Sequence, residues 1–298
     1  MPLLALKIDV DTYRGTREGV PQLVRMLQAH QAGATFLFSL GPDHTGRALR
    51  RAFRPGFMKK VSRTSVLEHY GLKTLLYGTL LPGPDIGRKC AGILRGVRDA
   101  GFETGIHTFD HVKWQDYVAG KDAAWTQREM TCAMQRYTEI FGQPAPTHGA
   151  AGWQMNDAAL VQERQWGMAY CSDTRGTHPF IPLLANGQTS CPQLPTTLPT
   201  LDELIGADGI DTANVADAVL AMTAQPGANG HVYTLHAELE GMKLAPVFER
   251  LLSGWQRQGY TLVSLADYFA ALDVTALPRL RVRQGEIPGR SGTLAMQG

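Results

Sequence analysis

Cysteine, long apolar runs and excess charge are all scarce in this chain. Its four cysteines (Cys90, Cys132, Cys171, Cys191) stand far apart with no C-x-x-C pair. That excludes a disulfide framework and fits free thiols in a reducing compartment. No stretch approaches the ~18 apolar residues of a spanning helix. The apolar start, Leu3 to Leu6, runs straight into acids and lacks the form of a signal peptide. A cytoplasmic location is expected. Lys and Arg number 29 against 27 Asp and Glu, so the net charge argues for no nucleic-acid partner. There is no repeat and no low-complexity tract.

What is present is an ordinary globular composition, 44% hydrophobic and 19% charged over 298 residues. That length buries a large core, and barrels of this size are often single domains. Apolar periodicity alternates between strand and helix. Strands are predicted near 4–11, 34–40, 101–106, 146–150, 168–172, 191–195, 231–235 and 260–263. Helices are predicted near 18–30, 86–100, 126–141, 157–166, 215–223 and 246–258. Such alternation implies parallel strands with helical crossovers, hence an α/β fold, a (β/α) barrel of seven or eight strands. One insertion, at 43–83, breaks the rhythm. Between His44 and Leu67 it carries seven basic residues (Arg47, Arg50, Arg51, Arg54, Lys59, Lys60, Arg63) and no acid.

Polar groups collect where strands end. Leu4-Ala5-Leu6-Lys7-Ile8-Asp9-Val10-Asp11 closes on two carboxylates at i and i+2, which share a strand face. Burying both is costly unless a cation or a shared proton compensates. His107 and His111 follow the third strand, and their spacing is that of one face of a helical turn. One carboxylate and two imidazoles suit one divalent metal ion, leaving the other acid free. Ser172-Asp173-Thr174-Arg175 and Thr234-Leu235-His236-Ala237-Glu238 also end strands. In a barrel these ends meet on one rim.

Ile8-Asp9-Val10-Asp11, His107 to His111 and Leu235-His236 resemble, in this order, three motifs of the polysaccharide deacetylase (NodB-homology) superfamily. The likeness spans roughly residues 3–265 and implies a distorted (β/α) barrel and a metal-dependent amide hydrolase. Arg14 to Pro21, Ala150-Ala151-Gly152-Trp153, Ser172 to Gly176 and His236-Ala237-Glu238 look like one branch. Its members deformylate undecaprenyl-phosphate-linked 4-deoxy-4-formamido-L-arabinose, which supplies aminoarabinose for lipid A modification and polymyxin resistance. An N-acetyl-sugar deacetylase of the chitin or peptidoglycan type is the alternative.

The resemblance implies Asp11, His107 and His111 as metal ligands, Asp9 as general base and His236 as general acid. Such donors accept Zn, Mn, Co or Fe. Asp110 is expected to orient a ligand histidine; Arg14, Trp153, Asp173, Arg175 and Glu238 are expected in support or substrate binding. Where the superfamily has an arginine that holds the catalytic acid, this chain reads Ala150-Ala151-Gly152-Trp153. Arg175, then Arg14, is the expected substitute cation, or else a grip for the substrate's phosphate. The basic insertion, with Leu72 to Leu81, is expected to meet the anionic inner-membrane surface, making the protein peripheral there. The expected domain covers 1–270, and the tail 271–298, with Arg279, Arg281, Arg283 and Arg290, is expected to extend the basic surface.

Overall fold

A computed structural model describes residues 1–48 and 72–298. The elements run β1 (Leu3–Val10), a π-helical turn Gly15–Gly19, α1 (Val20–Ala29), β2 (Thr35–Ser39), α2 (Leu72–Leu76), α3 (Ile86–Asp99), β3 (Glu103–Thr108), α4 (His111–Tyr117) and α5 (Ala123–Phe141). There follow α6 (Asp157–Gln165), β4 (Ile181–Pro182), α7 (Leu201–Leu204), α8 (Val215–Met222), β5 (His231–His236), α9 (Ala245–Arg257), β6 (Thr261–Val263) and α10 (Leu265–Ala270). The tail adds β7 (Arg279–Leu280), β8 (Val282–Gly285) and β9 (Leu294–Gln297).

β1 is the axis of the fold. It pairs in parallel with β2, β5 and β6, and β2 pairs with β3. Its apolar run, buried on both faces, is what a central parallel strand requires. From β3 the ring continues through isolated bridges, with bonds such as Ile106 N–H to Thr147 O (3.1 Å), Ser172 N–H to His148 O (2.8 Å) and Leu194 N–H to Cys171 O (2.8 Å). Thr197 N–H then reaches Val232 O of β5 at 3.0 Å. The strands predicted near 146–150, 168–172 and 191–195 are therefore bridges rather than regular strands. Pro146, Pro192 and Pro195 lack the N–H that a ladder needs. This is the distortion in the barrel.

The helices start where their caps stand. The side chains of Asp85, Asp110, Asp122 and Asn156 accept backbone N–H bonds at the first turns of α3, α4, α5 and α6. The largest core cluster joins the sheet to α1, α3, α5, α8 and α9, with Trp255 edge-on to Tyr233 at 5.0 Å between ring centroids. Two glycines lock the loops after β1 and β5 together. A Cβ on Gly19 would stand 2.0 Å from Ala237 O, and one on Gly15 2.0 Å from Glu238 Oε1.

Six of the seven basic residues in the insertion (Arg50, Arg51, Arg54, Lys59, Lys60, Arg63) lie outside the described residues, as does most of that segment. Within the remainder, Leu75 and Tyr77 are buried against the body, contrary to the expectation of an interfacial surface from Leu72 to Leu81. Leu80 and Leu81 do face outward, 81% and 37% exposed. The tail is not a separate appendage: β7 pairs with β4, and β9 bonds Arg175 through Arg175 N–H to Ala295 O and Gln297 N–H to Arg175 O.

Candidate metal centre

Asp9 and Asp11 stand at the end of β1, and the loop after β5 lies over them. Glu238 Oε1 accepts from Asp11 N–H at 3.1 Å, Thr12 N–H at 2.8 Å and Thr12 Oγ1 at 2.8 Å. Burial, and then the charge of Asp11, pushes the Glu238 carboxyl up to about 8. Glu238 thus fixes the backbone that carries Asp11.

The two histidines arrive by different elements. His107 is the penultimate residue of β3 and His111 opens α4, so they do not share a helical face as their spacing suggested. Asp110 makes the turn between them: its side chain caps α4 by accepting from Lys113 N–H at 3.1 Å, and its other oxygen bonds His44 Nδ1 at 2.6 Å. The pair still converges. His107 Nε2 lies 3.2 Å from Asp11 Oδ1, and His111 Nε2 lies 3.4 Å from Asp11 Oδ2. His107 Nδ1 bonds Gly149 O at 2.6 Å, so it carries the proton and leaves Nε2 as a lone-pair donor.

These residues fit one divalent ion. Two ligands each about 2.1 Å from a common ion at a tetrahedral angle stand about 3.4 Å apart. One ligand atom from each of Asp11, His107 and His111 lies within 4.8 Å of the others, and Asp11 Oδ1 is buried without a hydrogen-bond partner. Burial acts to raise the Asp11 carboxyl, but His111, His107 and His236 together hold it well below the carboxylate range. Asp9 also keeps a buried oxygen, Oδ1, with no hydrogen bond.

The cation against Asp9 is neither Arg175 nor Arg14. Lys7, two residues earlier on the same strand face and fully buried, places Nζ 3.4 Å from Asp9 Oδ2 and 5.3 Å from the Trp153 ring centroid. Arg175 instead bonds both oxygens of Glu203 at 2.9 and 3.1 Å and Leu198 O at 3.1 Å. Arg14 pairs with Glu18 at 3.0 Å. Trp153 follows a left-handed Gly152 and itself has φ +53°, a strained position for a bulky residue. Its indole N–H donates to Thr196 Oγ1 at 3.0 Å, and Lys7, Arg175 and Arg290 surround the ring.

Asp173 lies behind this wall. It accepts from Ala150 N–H at 2.8 Å and bonds His148 Nδ1 at 2.7 Å, which also meets Glu163 at 3.0 Å. Burial opposes the His148 charge, yet Asp173 and Glu163 push its pKa up to about 10. His236, at the end of β5, has a buried Nδ1 with no hydrogen-bond partner. Burial would lower its pKa, but the carboxylates of Asp11, Asp202, Glu240 and Asp9 outweigh that and raise it.

No family model matches the chain. It is 40% identical over 294 residues, 99% of its length and 94% of the relative's, to a Shewanella sediminis (strain HAW-EB3) protein described as a probable 4-deoxy-4-formamido-L-arabinose-phosphoundecaprenol deformylase, ArnD. The chain belongs to the ArnD deformylase family. A second ArnD protein, from Wigglesworthia glossinidia brevipalpis, is 31% identical over 284 residues, covering 95% of the chain and 98% of the relative. The ArnD chain has the fold of solved polysaccharide deacetylases. One assigned to that class from Mycobacterium smegmatis superposes with TM-score 0.61 over 96% of both chains at 15% identity. Another, from Pseudomonas aeruginosa PAO1, gives 0.59 over 90% of both at 13%.

Lys7, His44 and His148 line or brace this ArnD site without being singled out in the sequence, where Arg290 is expected only on the tail's basic surface. Lys7 had a signal: it shares the strand alternation of Asp9 and Asp11. The others are joined to the site only by the folded chain.

Proposed function

We propose that the chain hydrolyses the formamide of undecaprenyl-phosphate-linked 4-deoxy-4-formamido-L-arabinose, giving formate and the 4-amino sugar for lipid A modification. The observation that carries this reading is the meeting of Asp11, His107 and His111 around one point, with Asp9 on the neighbouring alternate position of the same strand. Family membership supports the substrate.

In the mechanism, Asp11, His107 and His111 would hold one divalent ion, which when bound would supply polarisation of the formyl carbonyl and a more acidic water. Asp9, steadied by Lys7, takes the proton of the attacking water. Water's oxygen bonds to the formyl carbon as the carbonyl π pair moves to oxygen. His236 then delivers a proton to the sugar nitrogen; the oxygen's pair re-forms the carbonyl as the C–N pair leaves with nitrogen, giving formate and a neutral amine rather than an amide anion. Glu238 and Asp110 hold the backbone that carries Asp11 and His111. The reading is tested by supplying the protein with matched formamido and acetamido lipid-linked sugars. Formate from the first and little acetate from the second is expected; preference for the acetamide favours the deacetylase alternative and refutes the deformylase.

The enzyme works on the anionic cytoplasmic face of the inner membrane as a peripheral protein. Among the described residues no helix is long and apolar enough to cross a membrane. Leu80 and Leu81 are exposed, and Arg47 Nε donates to Gly78 O, two residues before Leu80, at 3.0 Å. Each basic residue of the insertion near an anionic leaflet adds about 1 kcal/mol. A Leu80→Asp/Leu81→Asp variant should sediment less with phosphatidylglycerol vesicles and keep its rate on a short water-soluble analogue. Unchanged sedimentation would refute this.

A further inference from the structure

We infer that Arg290, carried by the C-terminal segment, forms a phosphodiester subsite that positions the substrate's charged link between sugar and lipid. This rests on the deformylase reading, because it is that substrate which brings one anion close to the formamide.

The segment's path delivers the residue. β8 and β9 form an antiparallel hairpin, and β9 is bonded to Arg175 on the barrel rim. Between them, Gly289 has φ +81° and approaches so closely that a Cβ would stand 2.4 Å from Glu203 O. Only glycine suits that turn. The next residue, Arg290, lies over Trp153 with its guanidinium carbon 4.3 Å from the ring centroid. Burial acts to lower its pKa, but Glu203 first, then Asp202 and, least, Asp11 raise it. This places Arg290 inside the site rather than on an outer basic surface.

Donor use separates the two arginines at Trp153. Arg175 spends Nη1 on both Glu203 oxygens and Nη2 on Leu198 O. Among the described residues, Arg290 hydrogen-bonds through Nε to Glu203 Oε1 at 2.5 Å, and its Nη2 makes a loose ion pair with Asp202 Oδ2 at 4.0 Å. A guanidinium has five N–H donors in a fork that matches a phosphate edge, so Arg290 keeps its terminal pair for an anion. Stacking on the indole and the Glu203 bond fix the plane of that fork, which lowers the cost of ordering it. The phosphate held there would leave the far side of the pyranose, bearing the formamide, toward Asp11.

The test compares wild type, Arg290→Ala and Arg290→Lys on a short-prenyl phosphodiester of the formamido sugar and on its methyl glycoside, which lacks phosphate. Losing a charge-assisted hydrogen bond costs about 1.5–3 kcal/mol, so Arg290→Ala should raise KM for the phosphodiester roughly ten- to hundredfold. The loss on the methyl glycoside should be at least tenfold smaller, and lysine should restore part of the difference. Equal losses on both substrates would mean a structural role and overturn the subsite. Calorimetric binding of farnesyl phosphate to the metal-loaded protein gives a readout free of turnover. Weakened binding in Arg290→Ala supports the subsite; unchanged binding overturns it, even if formate release failed and the deformylase reading fell.

Discussion

Replacing Lys7 by methionine should unfold the protein more readily and stop its chemistry, while its metal content survives. Lys7 Nζ and Asp9 Oδ2 are 3.4 Å apart, both side chains almost wholly buried. At an effective dielectric near 20 that separation corresponds to about 5 kcal/mol of gross attraction. Desolvation offsets much of it when both partners are present. Removing one partner does not: it leaves a buried, unpaired carboxylate, at about 3–5 kcal/mol. For a chain of this size that lowers Tm by roughly 5–8 °C. The double variant Lys7→Met/Asp9→Asn removes both charges and should recover more than half of the lost stability without recovering turnover. Denaturant melts of the four proteins, with formate release assayed alongside, measure the coupling. A Lys7→Met variant within about 1 kcal/mol of wild type, or a double variant no better than the sum of the singles, would refute the pairing.

Three further outcomes follow from the same geometry. Asp11→Ala should purify without bound ion, whereas Asp9→Asn should keep its ion and lose turnover; elemental analysis beside formate assays separates them. The His236 acid must be protonated, and its pKa is raised, so kcat should persist above the ordinary histidine range and fall as pH rises through the raised value. His236→Ala should lack that alkaline limb. Stability carries its own pH signature. The folded His148 pKa, about 10, lies above its ordinary 6.5, so its contribution is complete below pH 6.5 and drains away as pH climbs toward 10. Denaturant melts across that range should show the decline, and His148→Gln should flatten it.

The fold was legible where periodicity is strong. The buried run 3–10 and the amphipathic stretches that became α3, α6 and α9 lie within a few residues of their expected bounds. It was less legible across 146–197, where prolines and Gly149 reduce strands to single bridges and leave a pattern without period. The histidine pair illustrates a sound outcome from a mistaken geometry: spacing suggested one helical face, whereas a strand end and a helix start, hinged at Asp110, bring the rings together. Local alternation identifies Asp9 and Asp11 and also contains Lys7, a lysine where the superfamily's partner of the catalytic acid is an arginine. Arg290 had no local signal at all. Its place depends on a hairpin stitched to Arg175, more than a hundred residues away in the chain.

The central claim is a single divalent ion held by Asp11, His107 and His111 and required for formyl removal. Its most direct test is formate release from the phosphoprenyl formamido sugar before chelation, after chelation, and during titration with a divalent ion, with metal content measured at each stage. Activity should vanish on chelation and return in full at one ion per chain for wild type, and never for Asp11→Ala. Undiminished formate release from protein shown to be free of metal would contradict the account.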